Sequence, residues 1–246
     1  MNLLRAHRQR KLAALQGAAD PAQDTRASNQ YDLMLMQLAE HRRRLKLIQS
    51  IERKIEVKRQ LLPEYAAYVD GVLESDCGRQ DDVLMTVLVW RIDIGDIAGA
   101  LAIADYAIRH DLQTPDRYER SCACLVAEEV ADTALKLMES DTPVAPDMIA
   151  RTIELTAEQD MFDEVRAKLL KASGLCLLRQ GQPAQAVEQF KRAVELDERC
   201  GVKKLIEITE RELRKNSGGP EEPPPPEQDS TGSGTPPPAP DAPPAS

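Results

Sequence analysis

Carboxylates stand in this chain where a metal-dependent reaction could use them: Asp81 and Asp82, then Asp93 and Asp96, with Glu128, Glu129 and Asp132 further on. Two-metal phosphodiester hydrolysis needs several carboxylates converging on Mg²⁺ ions about 4 Å apart. Asp93 and Asp96 flank a turn and Asp81 and Asp82 lie one helix away, so a shared Mg²⁺ site is conceivable. The structural reading weighs more, because Asp at turns and helix starts is routinely a cap or a partner of the helix dipole. The other catalytic types are poorly served. There is no phosphate-cradling Gly-rich loop, which excludes a P-loop ATPase. His7, His41 and His110 are far apart and match no histidine-based nuclease motif. Cys122 and Cys124, two apart on a helix, face different ways and have no second Cys/His pair near them, so buried free thiols are expected rather than a metal site.

Positive charge is gathered at one end. The first sixty residues hold 13 Lys/Arg against 6 Asp/Glu, although the 246-residue chain has a net charge of −9. Arg5, Arg8, Arg10 and Lys11 come first, then Arg42, Arg43, Arg44 and Lys46, then Arg53, Lys54, Lys58 and Arg59. Segregation of this kind suggests that the amino-terminal part touches an anionic partner such as double-stranded DNA while the acidic remainder does something else. Solvated helix faces are the alternative.

The elements that would position these groups are helices. Ala and Leu dominate, aromatic residues make up 3%, and the β-branched runs that mark strands are scarce, so an all-α chain is expected. Residues 1–28 read as a short basic helix and a polar linker, and 29–75 as a long basic region. In the second, a helix over 29–62 carries Tyr31, Met34, Leu38, Leu45 and Ile48 at 3-4 spacing before the stripe slips onto Ile51, Ile55 and Leu62. Such a helix spans on the order of 50 Å, too long for one small core. Pairing with copies of itself, through Tyr31, Met34, Leu38, Leu45, Ile48 and Ile55, is preferred to packing along later helices. His41 falls in that seam as a hydrogen-bonded histidine rather than a catalytic base.

Residues 76–215 read as an acidic helical domain with helices near 80–93, 97–110, 115–139, 146–158, 161–180, 183–198 and 201–215. Pro115, Pro146 and Pro183 suit first helical positions, and Gly95, Gly181 and Gly201 suit turns. Within it, 167–200 resembles a single tetratricopeptide repeat at Gly174, Gly181, Ala186, Phe190 and Ala193, which implies helical hairpins rather than a full array. Residues 216–246 hold 11 of the 17 prolines and read as a disordered, Pro-rich tail. Five cysteines without framework spacing, and no apolar run near the roughly 20 residues a bilayer demands, point to a reducing cytoplasm and no membrane.

Four blocks carry a family likeness: MNLLRAHRQRKLAAL, YDLMLMQLAEHRRRLKLIQSIERKIEVKRQLLPEYAAYVDGVL, VLVWRIDIGDIAGALAIADYAI and QGQPAQAVEQFKRAVELDERCGVKK. Together they resemble the GpM-type terminase subunit of temperate contractile-tailed phages, over about residues 1–215. The resemblance implies a role in packaging viral DNA in the host cytoplasm. Such subunits act with a large, ATP-driven terminase subunit to recognise concatemeric phage DNA at its cohesive-end site and cut it. The expected partners are double-stranded phage DNA, the large subunit, the portal and further copies of the chain. Subunits of this type are labelled endonucleases, whereas the residues here fit recognition and assembly better than cleavage. Enzyme status is therefore open, with Mg²⁺ as cofactor only if the chain is itself a nuclease, and a purely protein-binding helical scaffold is a third reading.

Overall fold

The shortage of strand-forming runs resolves into helix. The computed structural model describes residues 3–15, 21–115 and 120–217, and every regular element among them is helical. In chain order these are α1 (Leu3–Ala13), α2 (Pro21–Lys46), α3 (Ile51–Leu61), a 3-10 turn (Leu62–Glu64), α4 (Ala66–Ser75), α5 (Asp82–Asp93), α6 (Ile97–Arg109), α7 (Cys122–Glu139), α8 (Pro146–Leu155), α9 (Asp163–Arg179), α10 (Pro183–Leu196) and α11 (Lys203–Ser217). The Pro-rich stretch from 218 onward lies outside the described residues.

Three boundaries differ from expectation. The expected polar linker is largely helix, because Pro21 is pre-organised for a first turn and Ala27 is buried. The single long helix is instead two, interrupted over Leu47 to Ser50, where the apolar stripe slips. Ser50 turns extended there, and its hydroxyl accepts from the Arg53 N–H at 3.2 Å, capping α3. Pro115 does not start a helix; α7 begins at Cys122, with Ser121 as its cap.

The break at Ser50 lets the basic region fold onto the rest of the chain. Met34, Leu38 and Leu45 of α2 are buried in the chain's own core, with Tyr31 and Ile48 packed against it. This stripe, expected to pair between copies, is thus covered within one chain, and Ile55 is half-buried beside it. The expected boundary between 75 and 76 does not separate two cores, since one continuous core runs from Ala13 to Cys176. His41, Tyr65 and Trp90 form an edge-to-face series across it, with centroids 5.7 and 5.9 Å apart, tying α2 to α5.

Helix α1 is held by its small face. Ala13 is buried against α4 at Gly71, where an added Cβ would lie 2.2 Å from the Arg10 carbonyl oxygen and 2.7 Å from Ala13 Cβ. A second, smaller core of Ala186, Phe190 and Val202 closes α9, α10 and α11, and Gly174 admits the Phe190 ring. That is one helical hairpin followed by a further helix, with Gly181 and Gly201 at its turns in the left-handed region that favours glycine.

Candidate nucleic-acid interface

Helix α2 carries the basic region and divides it in two. Gln30, Leu33 and Gln37 share one flank at i, i+3 and i+7, while Arg42 and Lys46 share the other at i and i+4. The buried Met34, Leu38 and Leu45 run between them. On the first flank, Arg5, Arg8 and Gln9 of α1 meet Gln30, Leu33, Met34 and Gln37 around a cavity of about 320 Å³. Gln9 is buried there, and its amide donates to Met34 Sδ at 2.9 Å. Arg10 faces away and pairs with Glu74 at 3.0 Å.

On the second flank, Arg42, Leu45 and Lys46 meet Lys54 and Lys58 of α3 and Trp90 and Asp93 of α5 around a cavity of about 260 Å³. Arg42 Nη2 donates to Thr86 Oγ1 at 2.5 Å, and Lys58 pairs with Asp93. Arg42 and Lys46 also border an adjoining cavity of about 490 Å³ lined by Gln80, Asp82, Gln113, Thr114 and Pro115. The three consecutive arginines therefore do not act together. Arg42 turns onto α5, Arg43 pairs with Glu40 on the surface, and Arg44 is exposed. Arg53 is exposed as well.

Among the described residues no carboxylate lies within ion-pair distance of Arg5, Arg8, Lys11, Arg44, Lys46, Arg53 or Lys54. Sequence reasoning named all seven of these cations but missed their grouping. It also missed Gln30, Gln37, Thr86 and Trp90 as lining residues. The i, i+4 spacings of Arg42 with Lys46 and of Lys54 with Lys58 are the local signals that could have pointed to the second cavity.

The candidate metal ligands are committed elsewhere. Asp81 is 1% exposed; its Oδ1 accepts from the Leu84 N–H at 2.8 Å and its Oδ2 from the Tyr68 hydroxyl at 2.5 Å, which makes it the cap of α5. Asp96 caps α6 through the Gly99 N–H at 3.1 Å and takes Arg91 at 2.8 Å. Asp93 is held by Lys58, and Asp82 opens the first turn of α5. Asp81 and Asp82 sit at one end of α5 and Asp93 and Asp96 at the other, about 16 Å apart at 1.5 Å per residue. Metal ions about 4 Å apart cannot be shared across that gap. Among the described residues no group of three or more His, Cys, Asp or Glu is placed to hold a metal ion. These donors do not fit a two-Mg²⁺ centre.

Burial shifts several titratable groups, Cys122, His41 and Tyr65 among them. Burial pushes the Cys122 thiol up to about 12, so it stays protonated, neither nucleophile nor ligand. Burial also lowers His41, assisted by the Arg44 charge and opposed by Glu64 and Glu40. Its Nδ1 lies 2.7 Å from the Tyr65 hydroxyl, whose own ionisation burial makes much harder. No helix among the described residues is long and apolar enough to cross a membrane.

Comparison with known proteins places this geometry in a family. The chain is 45% identical over 204 residues, 83% of each protein, to the terminase endonuclease subunit of Escherichia phage P2. It is 28% identical over 169 residues to a probable terminase endonuclease subunit of Haemophilus phage HP1, covering 63% of this chain and 60% of that one. No solved structure matches. The profile described as phage small terminase subunit matches residues 35–164, from the middle of α2 to the start of α9, and the chain belongs to that family.

Proposed function

We propose that this chain binds double-stranded viral DNA through the basic surface of α1, α2 and α3 and presents it to a large terminase subunit for cutting and packaging in the host cytoplasm. The observation that carries the reading is the set of solvent-facing cations, Arg5, Arg8, Lys11, Arg44, Lys46 and Arg53, that no described carboxylate neutralises in a chain of net charge −9. Phosphate contacts of this sort give affinity and register without reading sequence, and each neutralised phosphate releases counterions. Joining several copies would multiply weak contacts, since the second arm binds at raised effective concentration. With Met34, Leu38 and Leu45 covered, a seam between copies would use the exposed Leu33, Met36, Leu47 and Ile51 instead. The remainder of the chain, with 22 Asp/Glu against 17 Lys/Arg over residues 97–217, is the natural surface for the large subunit or the portal.

The test is salt dependence. Duplex binding by wild type should weaken steeply with salt, and a chain carrying Arg5→Gln, Arg8→Gln and Arg44→Gln should show a slope shallower by about 2 to 3. An unchanged slope removes these residues from the contact. Deleting residues 1–60 would not serve, because it takes Met34, Leu38 and Leu45 out of the core. The relatives' names favour a second reading, an endonuclease centre in this chain. Since Asp81, Asp82, Asp93 and Asp96 do not converge, that reading needs nicking of cognate DNA by the purified chain with Mg²⁺ alone; no nicking leaves cleavage to the complex.

A further inference from the structure

We infer that the cleft between α2, α3 and α5 is a phosphate-binding site that takes a phosphoryl group of a nucleic acid. Four cations from two helices, Arg42, Lys46, Lys54 and Lys58, share one concave space with a single carboxylate, Asp93. Like charges so gathered repel one another, and spacing them i, i+4 on each helix adds to the cost. Asp93 offsets Lys58, and Lys46 and Lys54, which no described carboxylate meets, carry the excess that an oxyanion would neutralise. Two of the four are pre-positioned: Arg42 by Thr86, whose hydroxyl in turn donates to the Asp82 carbonyl at 2.7 Å, and Lys58 by Asp93. Lys46 and Lys54 have no carboxylate partner among the described residues and are left for the ligand.

The walls say what kind of anion fits. Leu45 and Trp90 give the cleft an apolar floor, which strengthens charge interactions above it. At about 260 Å³ it falls below the roughly 300–1,000 Å³ of pockets that enclose a drug-sized ligand, so it suits a phosphoryl group rather than a whole nucleotide. Trp90 is 2% exposed, so its ring offers no platform for a base, and the site would hold phosphate without reading sequence. The adjoining cavity at Gln80, Gln113 and Thr114 shares Arg42 and Lys46 and leaves room for the chain on which the phosphate is carried.

Asp93 gives the inference its sharpest consequence. An entering phosphate competes with Asp93 for Lys58, so Asp93→Asn should tighten binding, whereas loss of a merely structural ion pair would weaken the protein and leave binding unchanged or poorer. The inference rests on the proposed DNA contact, and the source of the phosphate is either an internal phosphodiester or the terminal phosphate of a DNA end.

The experiment uses the full chain as wild type, Asp93→Asn, and Lys46→Gln with Lys54→Gln, each checked for unchanged circular dichroism. The probes are a relaxed closed-circular duplex and the same sequence made linear with and without 5′-phosphates. Expected are roughly threefold tighter binding for Asp93→Asn, and about tenfold weaker binding with a salt slope lower by about 2 for the lysine pair. Effects on the circle identify an internal phosphodiester; effects confined to the phosphorylated linear duplex identify a terminal phosphate. If duplex binds and Arg5→Gln with Arg8→Gln weakens it, while both cleft variants leave affinity and slope unchanged, the inference fails and the wider DNA reading stands. If no duplex binds, the wider reading fails, and inorganic phosphate decides the cleft by itself. A rise in Tm with phosphate over chloride of equal ionic strength, lost in the lysine pair, keeps the site; no such rise overturns it.

Discussion

The two flanks of α2 hold basic side chains drawn from one sequence cluster, yet they are built differently. On the α1 flank, Arg5 and Arg8 stand on a short helix held by the close approach of Ala13 and Arg10 to Gly71, with amides rather than charges lining the rest. On the α3 flank, four cations converge from two helices over an apolar floor, and two are pinned by Thr86 and Asp93. In the proposed DNA contact the first would be a surface sliding along phosphates and the second a cleft holding one. Net charge along the chain therefore says how much anion the region attracts, and only the packing of α2 says in how many places.

The α1 flank hangs on one tight contact at Gly71. Gly71→Val should cost about 1 to 3 kcal/mol, read as a lowered urea midpoint, because the new side chain must displace the α1 backbone at Arg10. Limited proteolysis should then cut within residues 3–15 before the rest, and the Asp93→Asn effect on DNA binding should survive. Equal loss of both would mean that the flanks do not fold independently.

Combining the Arg5 and Arg8 changes with the Lys46 and Lys54 changes sharpens the same point. Separate contacts should add to within about 0.3–0.5 kcal/mol in binding free energy. A large coupling term would show that both flanks grip one continuous stretch of phosphates whose geometry either flank sets.

The smallest effect concerns His41, which sits between the flanks. Its folded-state pKa lies below the ordinary value near 6.5, chiefly through burial, with Arg44 adding to the shift and Glu64 and Glu40 opposing it. The neutral form is the one that fits. Its contribution is present above the unfolded pKa and is lost as pH falls through the folded one. Wild type should therefore lose more Tm between pH 7.5 and 5.5 than His41→Gln does, and equal losses would place the acid sensitivity elsewhere.

Much of the helix plan was legible along the chain. Pro146 and Pro183 start helices, Gly95 and Gly181 follow helix ends, Gly201 lies in the turn before α11, and Cys122 and Cys124 are free and buried as expected. The break at Ser50 was not legible as a break, because a serine between Gln49 and Ile51 caps a helix only if the stripe on either side has somewhere different to pack. The role of the carboxylates was equally hidden. Asp81 and Asp96 are caps whose oxygens are already taken, and nothing in their spacing separates a cap from a ligand until the neighbours are in place.

By itself the sequence determined an all-helical chain with its positive charge at the amino end, since helix propensity, apolar periodicity and net charge are local sums over residues. Only the tertiary structure decided that the apolar stripe of α2 would be covered by the chain's own α1 and α5, that Arg42 would part from Arg43 and Arg44, and that Lys54 and Lys58 would join it in one cleft. Those outcomes depend on which faces meet across long separations in the chain, where burying one large apolar surface outweighs the mutual repulsion of a few charges at its rim.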